Sequence, residues 1–366
     1  MRIRGKPNLC GILGLILFLG IFSAGGARAE MRLSHLASLS MEVDDNVYQA
    51  NRDPVTDVLG RLYYDFSFNY FPTVNNLLLA EYQLGGRIYA SEHDKDALIN
   101  QLQLGYTNYS IPTAYFGLST TGKLRNIRDG QEDYLKLIGG AFAGKRFLDA
   151  INAELRAEYS EFDFHEFDYY DYVKQSYGTQ LRYDYLRSFS VGAGYRFEQK
   201  TYPFNAYENV GPEGGNVLLV AGDDNRVDNL HEISTFGRYQ TLLFERNAFL
   251  INLSYTYQFN ESNSYGDSYN NHRVIFGLSQ DLVAGANLHL LGIFQMRDGR
   301  EKVLIPHSYS IEEDDENYNQ VHVRLTHNFN EYLRLQASYS RFWSHYDFQR
   351  LNFVKNLYAL GLAVSF

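Results

Sequence analysis

The last eleven residues, Asn356 to Phe366, alternate so strictly that an extended strand is the one backbone able to use the pattern. Tyr358, Leu360, Leu362, Val364 and Phe366 are large and apolar, while Leu357, Ala359, Gly361, Ala363 and Ser365 between them are mostly small. Successive side chains of a strand point to opposite faces, so a period of two sorts residues into two environments. The same sorting recurs upstream. Leu33, His35, Ala37, Leu39, Met41 and Val43 alternate with Ser34, Ser38, Ser40 and Glu42. Ile151, Ala153, Leu155, Ala157 and Tyr159 alternate with Asn152, Glu154, Arg156, Glu158 and Ser160. No helical period competes over comparable lengths.

The connections between these segments alternate short with long. Short ones fall at Pro72–Asn75, Ser110–Thr113, Gly144–Asp149, Leu186–Ser188, Phe244–Asn247, Val283–Ala286 and Phe329–Glu331. Long polar ones fall at Asp44–Pro54, Ala90–Ala97, Arg125–Asp133, Phe162–Tyr172, Lys200–Asn229, Asn260–Asn270, Arg297–Asn317 and Ser344–Leu351. Strands with one lipid-compatible face, joined this way, predict an all-β fold: a transmembrane antiparallel up-and-down β-barrel of about 16 strands, with 14 or 18 as alternatives. Parity is least regular over Tyr134–Ala143 and Leu230–Leu243, and Asn216–Ala221 is a candidate extra hairpin. An even count puts both chain ends beside the short turns. Trp343 then falls at the opposite, long-loop end on the apolar face, with Phe189 and Tyr332 near the turn-side boundary. Amphipathic rings suit both boundaries.

Arg2, Arg4 and Lys6 precede an apolar run from Leu9 to Phe22, followed by Ala27-Arg28-Ala29. This order predicts a signal peptide over residues 1–29, cleaved after Ala29, with 30–366 as one barrel domain. The run is short for a span of roughly 20 residues. Cys10, the only cysteine, lies inside it, so the mature chain has no thiol for disulfides, catalysis or metal binding. Aromatic residues make up 16% of the chain, with 31 Tyr and 25 Phe, which fits an extensive lipid boundary. The net charge of -10 becomes more negative once Arg2, Arg4, Lys6 and Arg28 are lost, which disfavours nucleic acid as a partner.

The face opposite the apolar one collects Arg61, Asp65, Glu81, Arg87, Glu154, Arg156, Glu158, Arg182, Asp184, Arg196, Glu198, Arg273, Asp281, Arg324 and Arg334. A wall with charges of both signs is wet or internally paired, because an unpaired buried charge is very costly. These residues are therefore candidates for lining a hydrated pore. The competing reading is wall bracing, with Glu154 and Arg182 as a candidate cross-strand pair. Aromatic and acidic residues mix over Phe162–Tyr172, as a sugar-stacking edge or as rings dipping to lipid headgroups. The acidic run Glu312–Glu316 and the stretch Gly222–Asn225 lack the spacing of a calcium loop. No His-x-x-x-His pair, Gly-x-Ser-x-Gly elbow or phosphate-binding Gly loop occurs, so neither an enzyme nor a metal or cofactor site is expected.

The terminal strand, with Tyr358, Leu360, Leu362, Val364 and Phe366 on one face, resembles the C-terminal signal of bacterial outer-membrane β-barrels. That resemblance implies an outer-membrane location, contact with lipid, and recognition by the barrel-assembly machinery. Val43-Asp44-Asp45-Asn46-Val47-Tyr48 resembles the opening of a family of β-barrel porins often associated with surface-polysaccharide loci. It is similar, too, to the opening of barrels that move lipoproteins to the cell surface, although this chain lacks their periplasmic helical repeats. The expected function is a porin-like channel for small hydrophilic solutes or ions. The alternative is a barrel for exopolysaccharide export, or a sheath for an electron-transfer cytochrome, either needing a periplasmic partner. Asp44, Asp45 and Asn46 also suit a turn leaving a strand.

Overall fold

The structure is a computed structural model that describes residues 30–366 other than 131, 166–170, 186–187, 212–216, 244–246, 283–284, 302–317 and 345–351. The predicted signal peptide and the acidic run Glu312–Glu316 lie outside the described residues. Eight strands make up the first half: β1 Glu30–Asp44, β2 Asp57–Thr73, β3 Asn76–Tyr89, β4 Ala97–Ile111, β5 Ala114–Ile127, β6 Tyr134–Phe147, β7 Ile151–Phe164 and β8 Tyr172–Tyr185. Eight follow: β9 Phe189–Asn209, β10 Leu219–Leu243, β11 Asn247–Ser262, β12 Tyr269–Asp281, β13 Ala286–Gly299, β14 Asn319–Asn328, β15 Leu333–Trp343 and β16 Val354–Ser365. Each pairs antiparallel with its neighbours in sequence, and β1 pairs with β16, from Leu36 opposite Ser365 to Asp44 opposite Leu357. The result is a closed barrel of 16 strands. Closure leaves no open edge in the barrel wall, so the strands satisfy their backbones on both sides there.

The pleat separates the two faces as the alternation requires. Leu39, Met41, Leu155, Leu181, Leu253, Met296 and Leu360 point outward and are exposed, and at the seam Leu39 and Met41 stand opposite Leu362 and Leu360. Such a belt is stable only against lipid or detergent. Trp343 stands on this face at the loop end, edge-on to Phe294 with ring centroids 5.9 Å apart. Phe189 and Tyr332 are exposed at the turn end.

Three outward histidines share one arrangement. His35, His231 and His272 each sit in register with an aromatic residue: Phe66, Phe197 and Tyr257 respectively. In each case the Tyr two residues before that aromatic brings its hydroxyl to the His Nδ1: Tyr64 at 2.8 Å, Tyr195 at 2.8 Å and Tyr255 at 2.7 Å. The belt thus carries polar rings whose inner nitrogen is already bonded. His35 also stacks on the terminal Phe366, with centroids 5.0 Å apart and planes at 11°.

Inside, glycines make room for rings laid flat on the wall. A side chain at Gly117 would meet the Phe142 ring at 2.3 Å and the Tyr106 carbonyl oxygen at 2.5 Å. At Gly192 it would meet Phe236 at 2.2 Å and the Leu181 carbonyl oxygen at 2.5 Å. Gly192→Val should therefore push the Phe236 ring off the wall and destabilise the barrel by about 1–3 kcal/mol, the usual range for overpacking. A urea titration of folded protein would show it, and an unchanged midpoint would mean that the ring moves freely.

One expected loop is not a loop. Lys200–Asn229 is largely strand, because β9 and β10 continue as a two-stranded extension, with Asn209 opposite Leu219. Register shifts between Ala221 and Asn225 and between Asn225 and Val227 mark bulges in it. Of the candidate extra hairpin at Asn216–Ala221, Leu219–Ala221 belong to β10 and Asn216 lies outside the described residues, while Gly222–Asn225 lies within β10. Bulges and water on both faces scramble the period of two, which hides such a strand from sequence reading.

Candidate functional site

Register places Arg61, Asp65, Glu81 and Arg87 on the inward face of β2 and β3. Glu154, Arg156 and Glu158 face inward on β7, Arg182 and Asp184 on β8, and Arg196 and Glu198 on β9. Arg273 and Asp281 do so on β12, Arg324 on β14 and Arg334 on β15. The alternation of the strands is what brings them to one surface.

Many of these charges pair along or across the wall. Glu42 receives two bonds from Arg61, from Nε at 2.7 Å and Nη2 at 2.9 Å. Arg196 bridges Glu198 at 3.2 Å and Glu232 at 2.9 Å, and Arg156 reaches Glu154 at 3.1 Å and Glu158 at 3.6 Å. The expected Glu154–Arg182 pair is corrected by the register. Glu154 faces Gln180 and is ion-paired to Arg156, while Arg182 bonds Asp184 at 3.1 Å. Both pairs run between residues two apart on one strand, because side chains on one face of a pleat reach their i+2 neighbours as easily as a cross-strand partner.

Pairing does not fill the interior. The side chains of Arg156 and Arg182 point inward yet are 53% and 50% exposed. A cavity of about 850 Å³ opens at the turn end between Leu36, Tyr63, His289, Arg324, Arg334 and Gln336, all on the inward face. His289 and His322 line the same wall and bond Ser279 and Ser340 at 3.1 and 2.7 Å. No cluster suited to a metal ion occurs among the described residues.

At the loop end the inward wall of β6 to β9 carries an aromatic patch. Phe162, Phe164 and Tyr172 face inward and pack with Tyr134 into a buried cluster flanked by Tyr202. Neither the sugar-stacking nor the headgroup reading of Phe162–Tyr172 describes these three rings. Asp171 instead caps β7 by accepting the Phe164 amide at 2.7 Å, and residues 166–170 lie outside the described residues. Above the cluster, Arg226 on the β9–β10 extension bonds Asp228 at 3.0 and 2.6 Å and Asp267 at 3.0 Å, and its guanidinium lies 4.6 Å from the Tyr202 ring centroid. Burial pushes the Asp267 carboxyl above the usual range, and the Arg226 charge opposes that shift. Tyr48 in the first loop donates to Glu92 at 2.5 Å, a bond that pushes its hydroxyl up to about 12.

The Asp-Asp-Asn segment holds the barrel shut. Asp44 is fully buried, ion-paired to Lys355 of β16 at 2.8 Å and bonded by the Tyr89 hydroxyl at 3.0 Å. Asp45 accepts both the Asn356 amide at 2.6 Å and its side-chain Nδ2 at 2.7 Å. Asn46 donates to the Val354 carbonyl at 2.9 Å and exchanges two bonds of 2.8 Å with Ala50. The turn reading of these residues covers the bond from the Asn46 amide to Asp44, at 3.1 Å, and the two between Asn46 and Ala50. The bonds to Lys355, Asn356 and Val354 tie the end of the first strand to the last.

No family model matches the chain, and no curated protein does. Solved structures match at the level of fold. CdiB from Acinetobacter baumannii superposes with a TM-score of 0.51 at 9% identity, over 93% of this chain and 66% of that one. The fold is that of bacterial outer-membrane β-barrels. A bacterial polysaccharide outer membrane secretin aligns over 91% of this chain and 97% of that one, with a TM-score of 0.46 and 9% identity. A loop-deletion mutant of OmpT from Vibrio cholerae aligns over 93% and 100%, with a TM-score of 0.47 and 10% identity.

Proposed function

We propose that this barrel is an outer-membrane channel passing small hydrophilic solutes or ions through a hydrated, charged lumen. The observation that carries the reading is the solvent exposure of inward arginines, Arg156 and Arg182 above all, inside a closed wall. Charges in such a position stay ionised because water reaches them, and a solute of similar size can follow. The short turns then face the periplasm and the long connections the outside, with residues 1–29 removed on export. Phe366 and the outward residues of β16 would be read by the assembly machinery before the seam covers them. No catalytic step is assigned to the barrel.

Refolded protein spanning residues 30–366, added to a planar lipid bilayer, should give stepwise currents that scale with salt concentration. A barrel that is folded by heat-modifiable gel migration yet stays silent would overturn the reading. It would point to a conduit opened only by a partner.

A further inference from the structure

We propose that the turn-end cavity lined by Arg324 and Arg334 binds a small dicarboxylate; the proposal rests on the channel reading, since solute reaches the site through the lumen. Strands β13 to β16 carry a single acidic residue, Asp298, and it shares the outward parity of Met296. Their inward face holds His289, His322, Arg324 and Arg334 with no carboxylate among them. Two further inward cations stand toward the loop end. Lys355 is paired across the seam with Asp44, and Arg297 lies 3.7 Å from the Tyr269 ring centroid.

Elsewhere on the wall, inward arginines meet carboxylates. Arg61, Arg156, Arg182 and Arg196 each have one at 2.7 to 3.1 Å. Arg324 makes no hydrogen bond or ion pair among the described residues, and Arg334 makes only a bond of 3.5 Å to the Ser365 hydroxyl. The carboxylates bordering this quadrant are held by other groups. Glu42 takes Arg61, Asp65 accepts from Tyr63 and Gln83, and Asp281 accepts the Ala248 amide. Glu331, in the turn at the rim of the cavity, has no ion pair among the described residues.

The spacing of the two arginines selects the ligand. Arg324 faces Ser338 in register and Arg334 faces Asn328, so they stand four residues apart on adjacent strands. That is about 14 Å along the wall at a rise of roughly 3.4 Å per residue. Both line the same cavity of about 850 Å³. A guanidinium is a planar fork that grips a carboxylate through two parallel bonds. Two forks so separated suit two carboxylates on a short carbon chain, whereas a single phosphate is too compact to meet both. Leu36 and Ala363 in the same lining offer that chain apolar contact. His289 faces Arg324 in register, and Ser279 engages its Nδ1, which leaves Nε2 available to the same ligand. Arg324 is exposed to lumen water, so binding is modest and a solute held this way can also leave.

Titration calorimetry of succinate into the refolded barrel in zwitterionic detergent, at ionic strength matched with chloride, should show saturable binding. Acetate and inorganic phosphate should each bind at least about tenfold more weakly, since neither engages both arginines. Arg324→Gln with Arg334→Gln should weaken succinate binding about tenfold or more, the loss expected when charge-assisted bonds are removed. Either single variant, which keeps the test alive if the double variant does not refold, should weaken it about three- to tenfold. Lys145→Gln, on the outward face near the turns, should leave it unchanged. Absence of saturable binding, equal affinity in the arginine variants, or phosphate binding as tightly as succinate would overturn the proposal. Binding is read here without current. A silent barrel that binds succinate counts against the channel alone, and a conducting barrel that does not bind it counts against the site alone.

Discussion

Asp44→Ala should destabilise the barrel by about 3–5 kcal/mol, read as a lower midpoint in a urea titration of folded protein. The size follows from what the truncation leaves behind. Lys355 Nζ sits 2.8 Å from the Asp44 carboxylate, and the two side chains are 11% and 1% exposed. Without the carboxylate, a nearly buried ammonium loses its counter-charge, and the Tyr89 hydroxyl loses its acceptor. An uncompensated buried charge is far costlier than a missing pair. Asp44→Leu combined with Lys355→Met should therefore recover most of the loss. A loss for Asp44→Ala no greater than that of a surface substitution, within about 0.5 kcal/mol, would show that the pair is solvated and that the seam is held by backbone alone.

The second large effect is local. Arg226→Leu should make the β9–β10 extension at least about tenfold more sensitive to proteinase K, while the barrel beneath stays resistant. Arg226 is the cation between Asp228 and Asp267, and these three side chains are 12%, 8% and 3% exposed. Its removal leaves two buried carboxylates without compensation, where the loop after β11 is stitched to the extension by the Asn263–Val227 and Tyr265–Tyr207 backbone bonds. Opening the stitch relieves that cost, so the protease finds the open form more often. Arg226→Lys should fall between the two, because an ammonium cannot reproduce the two-point contact with Asp228 while reaching Asp267. Equal cleavage rates for all three proteins would mean that the extension is held by its strand pairing and not by the ion cluster.

Much of the architecture was legible because lipid enforces the alternation. Where one face meets hydrocarbon, as at Leu155, Ala157 and Tyr159, any lapse in period is costly, and the pattern survives in the sequence. Above the membrane that pressure ends. Lys200–Asn229 therefore read as a loop although β9 and β10 pair through much of it. Even the muddled stretch Tyr134–Ala143 is an ordinary strand, with Lys136, Ile138, Gly140 and Phe142 inward and Leu135, Leu137 and Ala141 outward. Its small outward residues had blurred the contrast between faces.

The inward face was legible residue by residue, while the contacts on it were not. Parity says which way Glu154 and Arg182 point, but the pairing of Glu154 with Arg156 depends on stagger and rotamer. Spacing likewise offered no sign that Phe162, Phe164 and Tyr172 would bury one another inside the barrel. The outward His–Tyr pairs left a faint trace, since each Tyr lies two residues before the aromatic facing the His. That trace is visible only once the register is known.

The Asp44–Asn46 clasp also bears on the order in which this chain can fold. Asp45 and Asn356 are 311 positions apart, so their bonds form only after nearly the whole polypeptide has been made and ordered. Contacts of such long range come late and slowly, because the entropy of closing the ring is lost before any of them is gained. A chain released before Asn356 would expose the open edge of β1 with no means of locking it, and an open edge recruits other strands. The first loop therefore works as a check on completeness: the ring latches when its last strand arrives, and a shortened product remains unlatched, open to degradation.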